Sequence, residues 1–422
     1  VKETNLEQPR TLNAWLSYLE QLHSTTIDMG LERTQRVAQA LAVQKPAPFV
    51  FVVGGTNGKG STVSMLEHIL LAAGYSVATY TSPHIVDYRE RVRINGHYLS
   101  EEAHCGAFAK VEAARQGTSL TYFEFGTLAA LQLIQQHEVD VAILEVGLGG
   151  RLDAVNVVEP NVSIVTSVDI DHIQFLGNDR ERIGFEKAGI FRPNCVAICG
   201  DPDVPKLLLE HAQQIAARLY CVNVDFAANQ SASHWDFECA NSPWRELVYP
   251  HLPFPNAISA LAALHHSGLV VSREHVITGL QTATVPGRFE IWPGEPLRIL
   301  DVAHNPHAAR YLAQRLREKG GAGRVLAVCG MLNDKDIRAT LNEMKPVVSA
   351  WYFASLSGPR GAQAGQLAEL TNGAEQKCYE SVKEALAAAT AQAHRADVIV
   401  CFGSFYTVAA VYEAEGRIVG VE

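Results

Sequence analysis

Residues 51–62 read Phe51-Val-Val-Gly-Gly-Thr-Asn-Gly-Lys-Gly-Ser-Thr62, an apolar run that breaks into a glycine-rich turn carrying one lysine. Val63, Leu66, Ile69, Leu70 and Ala73 then recur at helical spacing, and Gly74 closes the stretch. Strand, glycine loop, lysine, hydroxyl and helix N-terminus together describe a phosphate cradle. Backbone N–H groups and the positive helix end face the anion, lysine adds a charge, and a hydroxyl can meet Mg²⁺. The order departs from the common phosphate loop, because Gly60 separates Lys59 from Ser61 and Val53 occupies the place of the first glycine. The competing reading is a glycine-rich strand-to-helix turn with a solvated lysine. A nucleoside triphosphate is the favoured ligand.

Strands and helices alternate on both sides of this unit. Leu12, Trp15, Leu16 and Leu19 predict one amphipathic helix and Leu31 to Leu41 another, with a polar loop at 23–30 between them. Strands are expected at 49–53, 75–80, 139–146, 162–168, 195–199 and 219–224, and apolar strands interleaved with helices argue for a parallel sheet covered on both faces. The stretch 226–252 is polar with Trp235, Phe237 and Trp244, and reads as a hairpin or small antiparallel appendage. A Pro-Gly turn in 283–290 marks a linker. A second series follows, with strands at 297–302, 324–329, 350–354 and 397–402 and helices at about 306–319, 336–345, 363–372 and 380–394. The expected fold is thus a phosphate-loop ATPase domain with a parallel sheet over 1–287, then a smaller Rossmann-like α/β domain over 288–422.

At 422 residues the chain exceeds one ordinary core, and 47% hydrophobic with 19% charged residues describes a folded globular protein. The apolar runs fall short of the roughly 20 residues that span a bilayer. The polar first ten residues lack the apolar centre of a signal peptide. A net charge of −10 without a basic stripe argues against a general nucleic-acid binder. Cys195 and Cys199 lie close together, but no second pair or nearby histidine completes a zinc set, so the eight cysteines read as buried free thiols in a reducing cytoplasm.

Ligands in open α/β sheets sit outside the carboxyl ends of the strands. Glu145 ends the strand 139–144, where its carboxylate could reach a metal held between phosphates; a glycine-rich turn with a buried glutamate is the alternative. The next strand ends in Ser167-Val-Asp-Ile-Asp-His172, and a neutral His172 offers a lone pair to a cation, although such a histidine is more often structural. Lys187 lies at the edge of an apolar turn and by itself reads as a snorkelling surface residue. In the second series, Asp301 and His304 fall in a strand-to-helix loop, with Asn305-Pro306 as a helix start. Met331 to Asp336 and Phe402 to Tyr406 end the neighbouring strands, so three polar loops share one rim.

Taken in order, Gly55-Thr-Asn-Gly-Lys-Gly-Ser61, Thr81-Ser-Pro-His84, Glu90-Arg-Val-Arg-Ile94, Thr121-Tyr-Phe-Glu-Phe125, Glu145 to Ala154, Glu186-Lys-Ala-Gly-Ile190, Pro286-Gly-Arg288 and Asp301 to Pro306 resemble the folylpolyglutamate synthases. Within them the match is to the bacterial bifunctional dihydrofolate/folylpolyglutamate synthases, relatives of the Mur ligases. The extra Gly60 is that family's own form of the loop. The resemblance implies that Thr56, Asn57, Gly58, Lys59 and Gly60 bind ATP phosphates, and that Ser61, Ser82, Glu145 and His172 hold two Mg²⁺ ions. It implies a carbamylated Lys187 as a further metal ligand, and nucleotide contacts from Asn256, Arg288 and Asp301. His304 and Ser404 fall near the incoming glutamate. Asp28, Met29, Thr121, Tyr122, Phe123, Glu124, Leu152, Asp153 and Ala154 match the pterin site. Phe185 differs from the small or polar residue expected before Glu186-Lys187.

The implied reaction activates a carboxylate with ATP as an acyl phosphate, which the amine of L-glutamate then attacks. Its acceptors are dihydropteroate and reduced folates, and the enzyme is expected to be cytoplasmic and monomeric, without nucleic-acid or membrane partners. No side-chain nucleophile is required, and His304 is the candidate base for the amine. An enzyme restricted to tail extension would carry much the same sequence. A Mur ligase would add an N-terminal substrate domain, for which about fifty residues ahead of the loop leave no room. A nucleotide switch would not need Glu145, His172 and the polar rim.

Overall fold

The computed structural model describes residue 9 and residues 11–241, 244–319, 323–371 and 375–417. Among them, no helix is long and apolar enough to cross a membrane. Two compact units emerge. The first comprises Val1–Ser82, Arg89–Ile170 and Leu176–Thr284, and the second Pro83–Tyr88, Asp171–Phe175 and Val285–Glu422.

The first unit is built on β1 (Phe49–Gly54), β2 (Val77–Tyr80), β3 (Val92–Ile94), β4 (His97–Tyr98), β5 (Val141–Glu145), β6 (Val162–Val165), β7 (Val196–Cys199) and β8 (Arg218–Cys221), in the order β4-β3-β2-β5-β1-β6-β7-β8. From β2 to β8 the pairing is parallel, as the apolar runs predict. The β3–β4 edge is antiparallel, because a short turn through Asn95 and Gly96 reverses the chain. The helix Lys59–Ala72 follows β1 and is buried nearly all round, with Val63, Met65, Leu66, Ile69 and Leu70 at 0% exposure. Each such side chain contributes about 1.5–3 kcal/mol of gross burial, which fixes the position of the helix N-terminus. Helices Phe254–Ser267 and Arg273–Thr282 pack on it, while Leu12–Gln21, Glu32–Leu41, Glu101–Arg115 and Tyr122–Gln136 form a second group. The polar stretch after β8 does form an antiparallel hairpin, β9 (Phe226–Gln230) with β10 (Trp235–Cys239), held by the buried Trp235 ring edge-on to Phe254.

The second unit carries β11 (Glu290–Trp292), β12 (Leu297–Asp301), β13 (Val325–Cys329), β14 (Ala350–Ala354), β15 (Glu375–Tyr379) and β16 (Val398–Phe402), ordered β11-β12-β16-β13-β14-β15. Successive residues along a strand point to opposite faces. Accordingly Leu300, Val328, Tyr352 and Cys401 enter one apolar cluster with Leu386 and Val411, while Ile299, Ala327, Trp351 and Val400 enter another with Leu312 and Leu341. Both faces are therefore covered, which explains the unbroken apolar runs. Two strands escape the sequence reading. β15 is a polar edge strand whose sequence, Glu-Gln-Lys-Cys-Tyr, carries little β signal, and β11 is a short antiparallel addition to β12.

The cysteines are free, but only Cys199, Cys221, Cys329 and Cys401 are buried. Cys378 is exposed, and Cys105, Cys195 and Cys239 are partly so. Reading all of them as buried thiols is corrected on that point.

Candidate active site

The parallel registers assemble the first cluster. Val53 pairs with Glu145 across β1 and β5, and Gly54 pairs with Val165 across β1 and β6, so Glu145 and the residues after Val165 flank the start of the glycine loop. Thr166 and Ser167 then hold the loop from beneath. Their hydroxyls donate to the Asn57 carbonyl at 2.6 and 3.1 Å, and the Ser167 carbonyl accepts the Thr56 N–H at 2.8 Å. The Thr56 hydroxyl donates to the Asp169 carbonyl at 3.0 Å. Gly58, at φ +88°, would place a Cβ 2.2 Å from Asn256 Oδ1, so the backbone must stay bare where the amide closes on it. Gly58 also stands at the start of the following helix, where no side chain caps it.

Lys59 Nζ donates to the carbonyls of Gly55 and Thr56, at 3.0 and 3.3 Å, and thus folds over the loop it serves. Ser61 is 2% exposed in the first helical turn. Glu145, 6% exposed, accepts the Ser82 N–H at 3.2 Å, and a Cβ on Gly60 would lie 3.8 Å from its carboxylate. A glycine-rich loop at a helix start, an ammonium, a hydroxyl and a nearly buried carboxylate fit a phosphate chain with a hard divalent cation. Lys187, in the helix Arg180–Ala188, is 3% exposed, which overturns the reading of a snorkelling surface lysine. Phe185 packs edge-on to His211 at 5.2 Å, with the Arg151 guanidinium over its ring, and so has a packing role of its own.

A second cluster surrounds the start of the helix Tyr122–Gln136. Thr121 and Glu124 close a capping box, with the Thr121 N–H on Glu124 at 2.7 Å. The other Glu124 oxygen accepts from Arg33 at 2.9 Å and Thr34 at 3.1 Å, and Arg33 pairs in turn with Asp28 at 2.8 Å. Arg33 is thus the link between sites that the sequence placed far apart. Tyr122 lies under the Arg91 guanidinium, and Phe123 stacks on Tyr80 and blocks any side chain at Gly147. Met29 approaches Gly149. Asp153 accepts the N–H groups of Leu148 and Val155, capping the short turn Ala154–Val157 beside Leu152. Burial pushes the Asp153 carboxyl up to about 6.

The second unit holds its own polar cluster. Asp171, beside His172, receives Lys335 Nζ at 2.7 Å, with side-chain exposures of 10% and 7%. His304 Nε2 lies 3.5 Å from the same carboxylate, while its Nδ1 lies 2.8 Å from the Val302 carbonyl. Burial acts to raise the Asp171 carboxyl, but the His304 hydrogen bond and the charges of His172, Lys335 and His304 outweigh it and hold the group well below the usual carboxylate range. Asn305 caps its helix by accepting the Ala308 N–H, as its place before Pro306 predicts. Ser404 likewise caps the last helix through Thr407 and is 3% exposed. Asp301 accepts from Phe289 and Ala303, both at 2.8 Å, and burial raises it against the charge of Arg288, whose guanidinium covers Phe405. Asp171 and Lys335 were passed over in motifs whose ends alone drew notice. No spacing in the sequence says which carboxylate of Asp169-Ile-Asp171 faces a lysine more than 160 residues later.

The Mur ligase middle domain matches residues 53–242, and the Mur ligase glutamate ligase domain matches residues 287–405. The chain is 53% identical over 403 residues to the dihydrofolate synthase/folylpolyglutamate synthase of Escherichia coli strain K12, covering 95% of each chain. It belongs to the dihydrofolate synthase/folylpolyglutamate synthase family of Mur-type ligases. Among solved structures, E. coli FolC in complex with DHPP and ADP superposes with a TM-score of 0.95 at 52% identity, over 97% of this chain and 98% of that one. A bifunctional folylpolyglutamate synthase/dihydrofolate synthase with Mn, AMPPNP and L-glutamate bound gives a TM-score of 0.92 at 50% identity, over 97% and 100%.

Proposed function

We propose that this protein is an ATP-dependent amide ligase that joins L-glutamate to dihydropteroate, making dihydrofolate, and to reduced folyl(poly)glutamates. The observation that carries the reading is the glycine loop held open against Asn256 with the Glu145 carboxylate beside it. Its relatives bind ADP with DHPP, and AMPPNP with Mn and L-glutamate, on the same fold.

Residues 1–287 take ATP and the pterin, and 288–422 the glutamate end. Thr56, Asn57, Gly58, Lys59 and Gly60 receive the phosphates, with Asn256, Arg288 and Asp301 on the nucleotide. Ser61, Ser82, Glu145, His172 and a carbamylated Lys187 would hold two Mg²⁺ ions, which would supply positive charge against the transferring phosphoryl group. Asp28, Met29, Thr121, Tyr122, Phe123, Glu124, Leu152, Asp153 and Ala154 receive the pterin. The substrate carboxylate takes the γ-phosphoryl group with release of ADP. The glutamate amine attacks the acyl phosphate, loses a proton and expels phosphate. Lys59 stabilises negative charge on the phosphoryl oxygens, and holding three substrates in line supplies much of the acceleration. His304, oriented between Val302 and Asp171, stands near the amine with Ser404. The enzyme works as a cytoplasmic monomer.

Phosphate release with ATP and L-glutamate, measured separately with dihydropteroate and tetrahydrofolate, tests this. Glutamate-dependent release with both is expected. Release with tetrahydrofolate alone would restrict the enzyme to tail extension, and release with neither would refute the reading.

A further inference from the structure

Cys239, His265 and His266 each bring one ligand atom to within 4.8 Å of the other two. The cysteine ends β10 and the histidines close the helix Phe254–Ser267, so the chain brings together residues that are 26 and 27 positions apart. None of them belongs to the clusters described above. Cys239 Sγ lies 3.6 Å from His266 Nε2. Zinc–sulfur and zinc–nitrogen bonds of about 2.3 and 2.0–2.1 Å at a tetrahedral angle put sulfur and nitrogen about 3.6 Å apart, so this edge of a coordination tetrahedron is already formed.

The surroundings orient the ligands. His265 Nε2 is 3.0 Å from the Ala240 carbonyl, and donating a proton there leaves the lone pair on the other ring nitrogen. The His266 ring stacks on Tyr220 with centroids 3.6 Å apart and planes at 11°, which limits its rotation. Cys239 also lines a cleft of about 360 Å³ with Asp225, Glu238 and Arg245.

We propose that Cys239, His265 and His266 form a binding site for a thiophilic divalent cation of the zinc class, pinning the β9–β10 hairpin to the end of the helix. Three protein ligands leave the fourth position to water. On binding, the Cys239 S–H proton passes to solvent as the metal–sulfur bond forms.

The test uses the full-length protein, stripped with a chelator, returned to Mg²⁺-containing buffer without nucleotide and titrated with Co²⁺. The expected result is a near-ultraviolet thiolate-to-cobalt charge-transfer band that saturates at one equivalent and is displaced by Zn²⁺. An oxygen-ligated site for nucleotide metal produces no such band. Cys239→Ser should lose it, His265→Gln and His266→Gln should each weaken cobalt binding at least tenfold, and Cys378→Ser should change neither. Zn²⁺ should raise the melting temperature of the wild type but not of Cys239→Ser. Absence of the band from the wild-type protein would overturn the proposal, as would its survival in Cys239→Ser. The wild-type spectrum decides even if a variant fails to fold.

Discussion

Replacing Lys335 by Met tests the Asp171 cluster directly. The ammonium and carboxylate lie 2.7 Å apart with side chains only 7% and 10% exposed, so neither is well solvated. Removing one member of a buried pair typically costs about 3–5 kcal/mol, because the remaining charge is stranded. Asp171 keeps His304 at 3.5 Å and Asn305 at 3.4 Å, which places Lys335→Met near the lower end, about 3 kcal/mol. Asp171→Asn strands the lysine instead and should cost at least as much. The double variant removes both charges, so the two losses should fall short of additivity by about 1–3 kcal/mol. Scanning calorimetry of the four proteins at fixed pH measures this, with an expected fall of roughly 6–12 °C in the affected transition for Lys335→Met. The pH dependence has a defined sign. Asp171 is held below its ordinary value, so its contribution is fully present above the unfolded carboxylate value of about 3.9 and fades as pH falls through the lower folded value. Asp171 should therefore stay ionised from pH 6 to 8, so the loss of Lys335 should be felt throughout that range. Additive losses, or a penalty that disappears at neutral pH, would refute the coupled buried pair.

Gly58→Ala forces φ +88° on a residue with a Cβ, at about 1–2 kcal/mol, and drives that Cβ to 2.2 Å from Asn256 Oδ1. ATP affinity should fall at least tenfold while the circular dichroism spectrum is kept, and unchanged binding would remove the close-approach argument. Lys187→Ala should abolish Mg²⁺-dependent phosphate release and move the melting temperature by only a few degrees, because alanine suits its helical position. Appreciable residual turnover there would exclude Lys187 from the metal site. For Asp153, burial favours the protonated form, so its ionised form is reached only as pH rises through about 6. Dihydropteroate binding should tighten across that range as the carboxylate becomes a full acceptor, and a pH profile that survives in Asp153→Asn would assign the titration elsewhere.

Much of this architecture is legible in the chain because burial writes itself into sequence. The run Phe49–Gly54 and the helical spacing after Lys59 predict the phosphate loop, and the strand ends predict where Glu145 and Asp301 emerge. What stays hidden is pairing between distant elements. Arg33 bridges Asp28 to Glu124 through side chains alone, and Lys335 finds Asp171 without any local pattern. Thr166 and Ser167 look like an ordinary polar strand end until the β1–β6 register sets them under Asn57. The cluster of Cys239, His265 and His266 is hidden for a related reason, because a hairpin thiol meets the histidines of the next helix without any metal-ligand spacing along the chain.

The second unit is not one continuous piece of chain, because Pro83–Tyr88 and Asp171–Phe175 belong to it. That membership limits how freely the two halves of such a ligase can be exchanged. A fragment beginning at Val285 would carry Lys335 without its counter-ion and His304 without its carboxylate partner. Recombination at the linker would graft a C-terminal half onto someone else's Asp171. The inheritable module is therefore a discontinuous set of three segments, and descent should tend to keep both halves together.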